Sequence, residues 1–191
     1  MSDRAIDETP EAPRPDPRRR HGLIIVNTGD GKGKTTAALG LAFRALGVGF
    51  KVFMVQFIKG KWKTGEKKMA DRLAPEITIL PMGDGFTWDT KNPAQDIATT
   101  LKIWEVGKEA IQSGRYDIVI LDEINVVMKL GYLDPQVVVD FLKARDPRQH
   151  VVLTGRGAPP AVREFADTVS EVQAVKHHYK AGVKAQQGIE F

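Results

Sequence analysis

Leu23-Ile24-Ile25-Val26-Asn27-Thr28-Gly29-Asp30-Gly31-Lys32-Gly33-Lys34-Thr35-Thr36, followed by an alanine- and leucine-rich run over residues 37–46, decides the fold. An apolar strand, a glycine-rich loop and a helix follow one another without interruption, which is the setting a phosphate-binding loop requires. Gly29, Gly31 and Gly33 carry no Cβ, so the loop can turn sharply and aim backbone N–H groups at phosphate oxygens. A helix beginning near Lys34 adds the positive end of its dipole. Lys34 is expected to reach the phosphates as a point charge and Thr35 to complete the coordination of a magnesium ion, with Thr36 adding a hydrogen bond. The loop departs from the pattern G-x-x-x-x-G-K-[ST] at its first position, where Thr28 replaces glycine. Lys32 reads equally as a phosphate ligand and as a solvated loop charge.

Outward from this stretch, strand patterns recur over residues 51–57, 77–80, 117–121, 150–153 and 169–172, with helical patterns between them. The clearest helices cover 96–111 and the stretch entered by Asp134-Pro135, where aspartate caps and proline occupies the first turn. Alternating strands and helices predict an α/β domain over 22–191: a mainly parallel sheet with helices on both faces, of the RecA-like P-loop NTPase kind, with ligands at the carboxyl ends of the strands.

A second nucleotide-binding element follows from the strand ending Ile120-Leu121-Asp122-Glu123. Asp122 at the tip of a buried strand is expected to hold magnesium beside Thr35, and Glu123 to join the metal shell or polarise a water. The local motifs stop at binding, because an acidic pair after a strand also serves an ATP-hydrolysing motor. Arg156, after the strand at 150–153, is placed to contact phosphate or ribose, with a surface arginine as the bland alternative.

Composition narrows the remaining classes. The 42% hydrophobic and 27% charged content is globular, and 191 residues suffice to bury a sizeable core. The absence of cysteine excludes a disulfide framework, a thiolate metal site and a cysteine nucleophile, and fits a cytoplasmic setting. No apolar run is long enough to span a membrane, so no membrane partner is expected. Residues 1–21 hold four of the eleven prolines and as many arginines as acidic residues, and read as a flexible segment in which Arg18-Arg19-Arg20 is a solvated run. The net charge of +4 suits phosphate-bearing ligands, but the basic residues are dispersed and no nucleic acid is expected. His177-His178 is read as solvent-facing, since adjacent side chains point apart.

From Gly22 onward the chain resembles the P-loop type of ATP:corrinoid adenosyltransferase. The landmarks are the loop at 28–36, Val55-Gln56-Phe57-Ile58-Lys59-Gly60, Gly85-Phe86-Thr87-Trp88, Leu121-Asp122-Glu123, Thr154-Gly155-Arg156-Gly157 and the closing segment at 181–189. The resemblance implies that a Co(I) corrinoid attacks the 5′ carbon of ATP, forming a cobalt–carbon bond and releasing the whole triphosphate, in adenosylcobalamin biosynthesis or salvage. The phosphate loop from Thr28 to Thr36, including Asp30, would then grip the leaving group, with magnesium or manganese, and Lys34, Thr35 and Glu123 would be its catalytic residues. Phe86 and Trp88 alone would read as packing; by resemblance they lie beneath the corrin ring and displace its lower axial ligand. The resemblance further implies a reduced flavin or flavoprotein as electron donor and a homodimer. Hand-off of the product to a cobalamin-using protein is expected on chemical grounds, because a labile cobalt–carbon product released into water would be wasted. The competing readings are a RecA-like ATPase or kinase acting at the γ-phosphate, and a nucleotide-gated carrier.

Overall fold

The computed structural model describes residues 21–60, 64–83 and 92–190. Six strands form one parallel sheet: β1 Ile24–Thr28, β2 Val52–Gln56, β3 Ile77–Pro81, β4 Ile118–Asp122, β5 His150–Thr154 and β6 Thr168–Glu171. Their order across the sheet is β3-β2-β4-β5-β1-β6. Among the described residues the helices are α1 Lys34–Leu46, α2 Gly65–Arg72, α3 Pro93–Gln112, α4 Ile124–Lys129, α5 Pro135–Lys143 and α6 Pro160–Phe165. The expected α/β architecture is thus observed, with boundaries shifted by one to three residues at strand and helix ends.

The central strands are apolar on both faces because both are covered. Phe53, Val55, Val119, Leu121, Val151 and Leu153 pack with Ile103 and Trp104 of α3, Val127 of α4 and Leu142 of α5. Their alternating neighbours Met54, Ile118, Ile120 and Val152 pack with Ala38, Ala42 and Ala45 of α1 and with Ala70 of α2. The small alanines let α1 lie close to the sheet, which brings its first turn down to the strand tips. Helix starts follow their capping chemistry: Asn92 accepts from Gln95 N before α3 and Asp134 from Gln136 N before α5, each followed by proline. β6 is an edge strand with four exposed residues, so its sequence, Thr-Val-Ser-Glu, carries little of the core.

The end of the sheet remote from the carboxyl edge is tied by polar contacts. Leu23 N donates to His150 Nδ1 at 3.0 Å, Ile24 N to Asp167 Oδ2 at 2.7 Å, and the Arg145 guanidinium to Gly22 O at 2.6 Å. Burial, reinforced by the Arg145 charge, pushes His150 below its ordinary value of 6.5. The unfolded chain therefore takes up a proton before the folded chain does. Stability is expected to fall as pH drops below about 6.5 and to level off beneath the folded value, where both states are protonated. In His150→Gln, thermal midpoints between pH 7 and 5 should show a shallower decline than in the parent protein; an unchanged slope would rule out His150 as a source of it.

Candidate active site

Strand order builds the site. β5 lies between β1, which feeds the glycine-rich loop, and β4, which ends in Asp122-Glu123. Asp122 nevertheless reaches the loop, because its carboxylate crosses the tip of β5 and gathers donors from three elements. Thr35 Oγ1 of α1 donates to Oδ1 at 2.8 Å, Thr154 Oγ1 of β5 donates to Oδ1 at 2.7 Å, and Gln56 Nε2 of β2 donates to Oδ2 at 3.0 Å. Asp122, Gln56 and Thr154 are each fully buried. The sequence reading brought Thr35 and Asp122 together but assigned no role to Gln56 or to Thr154. Their one legible signal is a polar residue at the carboxyl tip of an apolar strand.

Glu123 follows at φ 65°, ψ 15°, and is the one non-glycine residue with positive φ among the described residues. Such a conformation costs roughly 1–3 kcal/mol and is kept where the surroundings impose it. Here the backbone N–H of Glu123 donates to Thr154 Oγ1 at 2.9 Å, and Ile124 begins α4 directly. Gly155, at φ 126°, completes the arrangement: a Cβ there would lie 3.1 Å from Glu123 Oε2 and from Val126 N. Burial, then the Asp122 charge, push the Glu123 carboxyl above its ordinary value, while Lys34, Lys59 and Arg156 pull the other way.

Within the loop, Gly31 N donates to Val172 O at 2.7 Å, and a Cβ on Gly31 would lie 2.6 Å from Gln173 O. Glycine is needed here because the chain leaving β6 closes against the loop. Thr28 in place of the first glycine is also explained: it is buried, and its Oγ1 accepts from Ala158 N at 3.1 Å. Lys34 Nζ donates to Gly31 O at 2.6 Å, and burial lowers its pKa despite Glu123 and Asp30 nearby. Gly33 precedes α1 at φ 120°, no side chain caps the helix and its first turn holds no acidic residue. Among the described residues its first N–H groups have no capping partner, which leaves them and the dipole available to an anion.

A cavity of ≈ 520 Å³ opens over this edge, lined from the loop by Gly31 to Thr36 and from the strand tips by Glu123 and Arg156. Lys32 lines it too, paired with Glu190 at 3.3 Å, while Asp30 is exposed and outside the lining. The closing segment supplies a wall that sequence reasoning did not anticipate, through His177, Gly188, Ile189 and Glu190. The histidines do not point apart as expected: their rings stack at 4.7 Å because the chain turns into a short 3₁₀ helix at His178–Ala181, and His178 Nε2 lies 2.8 Å from Glu190 Oε1. Phe86 and Trp88, expected beneath a corrin ring, lie outside the described residues, as does Arg18-Arg19-Arg20.

Thr35, Asp122 and Glu123 form an all-oxygen donor set suited to magnesium or manganese, with Thr35 retaining lone pairs after donating its proton to Asp122. Among the described residues no cluster of three histidine, cysteine or acidic side chains could hold a metal alone.

Comparison with known proteins extends these observations. Residues 20–191 match the family described as ATP:corrinoid adenosyltransferase BtuR/CobO/CobP. The chain is 46% identical over 174 residues to the corrinoid adenosyltransferase of Pseudomonas aeruginosa, covering 91% of this chain and 86% of that one. It is 46% identical over 170 residues to the corrinoid adenosyltransferase of Escherichia coli K12, covering 89% and 86%, and 44% identical over 174 residues to corrinoid adenosyltransferase CobA of Salmonella typhimurium, covering 91% and 88%. Among solved structures, the flagellar accessory protein FlaH from Methanocaldococcus jannaschii superposes with a TM-score of 0.55 at 16% identity, over 80% of this chain and 71% of that one. The last likeness concerns the fold alone.

Proposed function

Because this chain belongs to the ATP:corrinoid adenosyltransferase family, we infer that it transfers the 5′-deoxyadenosyl group of ATP to the Co(I) centre of a corrinoid and releases triphosphate. The observation that carries the reading is the coincidence of a family match over 20–191 with a loop, helix terminus and Asp122 cluster suited to a triphosphate. The corrinoid is a substrate and brings its own nucleophile. Cobalt supplies both electrons of the new cobalt–carbon bond and passes formally from Co(I) to Co(III), while the C5′–O bond breaks and its electron pair leaves on the triphosphate.

The protein's part in this reaction is electrostatic. No side chain has to act as nucleophile, and no proton has to move for the bonds to exchange. The α1 terminus, Lys34 and Arg156 would meet the charge that develops on the leaving oxygens in the cavity they line. Magnesium or manganese, held by Thr35, Asp122 and Glu123, would neutralise part of that charge when bound. Phe86 and Trp88 are assigned to the corrinoid side by family resemblance. We carry as proposals a reduced flavin or flavoprotein donor, a homodimer, a cytoplasmic setting, hand-off of the labile product to a cobalamin-using protein, and no role for nucleic acid. No helix among the described residues is long and apolar enough to cross a membrane.

An anaerobic assay tests the reaction: protein, ATP, magnesium and chemically reduced corrinoid should yield adenosylated corrinoid and inorganic triphosphate in equal amounts. The strained, half-buried Glu123 at the cavity favours one rival, a RecA-like ATPase that cleaves the γ-phosphate. That rival predicts ADP and phosphate from the same mixture, with no adenosylated product.

A further inference from the structure

One wall of the cavity carries a cation to which the phosphate-loop chemistry assigns no part. β2 ends at Gln56, level with Asp122 on β4, and Phe57 N donates to Asp122 O at 3.0 Å. The chain therefore leaves the sheet at its carboxyl edge, and Lys59 together with Glu66 in the first turn of α2 lines the cavity that Lys34 and Arg156 also line. Lys59 Nζ donates to Glu66 Oε1 at 2.9 Å, with the two side chains 29% and 14% exposed.

Glu66 is itself held in place. Burial alone would raise its carboxyl, but the bond from Lys59, its own backbone N–H and the Thr64 hydroxyl outweigh burial and keep it below the ordinary range. Thr64 in turn caps α2 by accepting from Lys67 N. An ammonium has three donors and Glu66 takes one, so a fixed Lys59 can offer others to an anion in the cavity. A half-buried pair with no further partner would return little stability for its desolvation, whereas a polyanion beside it changes that balance.

The backbone adds a second observation. Gly83 N donates to Lys59 O at 3.1 Å, and a Cβ on Gly83 would lie 2.3 Å from the Ile58 carbonyl carbon. These two segments are pressed together, which fixes the backbone that carries Lys59. We propose that Lys59, aimed by Glu66, binds the triphosphate. The proposal rests on the adenosyl-transfer reading and assigns Lys59 to binding the leaving group.

Calorimetric titration with inorganic tripolyphosphate and magnesium tests it separately from turnover. Lys59→Gln should weaken tripolyphosphate binding about tenfold or more, and Lys59→Arg, which keeps the charge, should stay within about threefold. Glu66→Gln, which loosens the aim but leaves the cation, should fall between them, and thermal midpoints should stay near that of the parent protein. Lys59→Met replaces the glutamine variant if the latter does not fold. Undiminished affinity in the uncharged Lys59 variant, or a parent protein that binds no tripolyphosphate, overturns the proposal. Failure of the reaction reading gives a different pattern: tripolyphosphate affinity still lost with Lys59, but ADP instead of adenosylated corrinoid from the parent protein.

Discussion

Replacing Lys34 with methionine should lower adenosyl transfer by roughly 10²–10³-fold while leaving the thermal midpoint unchanged or slightly raised, as expected when a single pre-placed charge at a developing anion is removed. Lys34 is buried, and its ammonium bonds a carbonyl of its own loop, Gly31 O, at 2.6 Å. Burial lowers its pKa, so the charged form is held there against a desolvation cost that Glu123 and Asp30 partly offset. Methionine fills the same space without that penalty, so stability should not suffer. Lys34→Arg should not restore the rate, because the broader guanidinium cannot take the place of a compact ammonium inside the turn of the loop. Turnover of Lys34→Met within about threefold of the parent would remove Lys34 from the chemistry.

Two substitutions at Asp122 should separate its structural role from its chemical one. Asp122→Ala leaves the Thr35 and Thr154 hydroxyls and the Gln56 amide without their acceptor, and two of those residues are fully buried. Stranded donors and the small void together should lower stability by about 2–4 kcal/mol, a fall in thermal midpoint of roughly 4–16 °C for a chain of this size. Asp122→Asn should behave differently. Among the described residues Gln56 Oε1 has no partner, so the Gln56 side chain can turn over and accept from the new amide while the remaining oxygen still accepts from the two threonines. The asparagine protein should therefore keep a midpoint near that of the parent and lose roughly 10²-fold or more in rate, because the negative charge beside Thr35 has gone. Equal midpoints for the alanine and asparagine variants would show that the three-donor cluster does not hold the site together.

Legibility in the sequence followed the range of the interactions. The loop from Gly29 to Thr35, the cap and proline at Asp134-Pro135 and the apolar strands at 118–121 and 150–153 each announce themselves within a few residues, because caps, turns and buried strands are local chemistry. Phe86 and Trp88, outside the described residues, are assigned to the corrinoid by family resemblance alone, since two aromatics two positions apart among polar residues and glycines carry no period that distinguishes packing from a platform.

The sequence by itself determined that this chain builds a parallel α/β sheet with a glycine-rich loop at the carboxyl end of one strand and an acidic pair at the end of another. The tertiary structure alone decided that β5 stands between those strands, so that Thr154 and Gln56 become partners of Asp122, and that Gly31 gives its N–H to Val172 O. It likewise decided that Glu190 returns to Lys32 and that Lys59 meets Glu66 at the cavity wall. Strand order and the return of the closing segment depend on contacts between residues far apart in the chain, and no local pattern of side chains encodes which distant neighbour each polar tip will find.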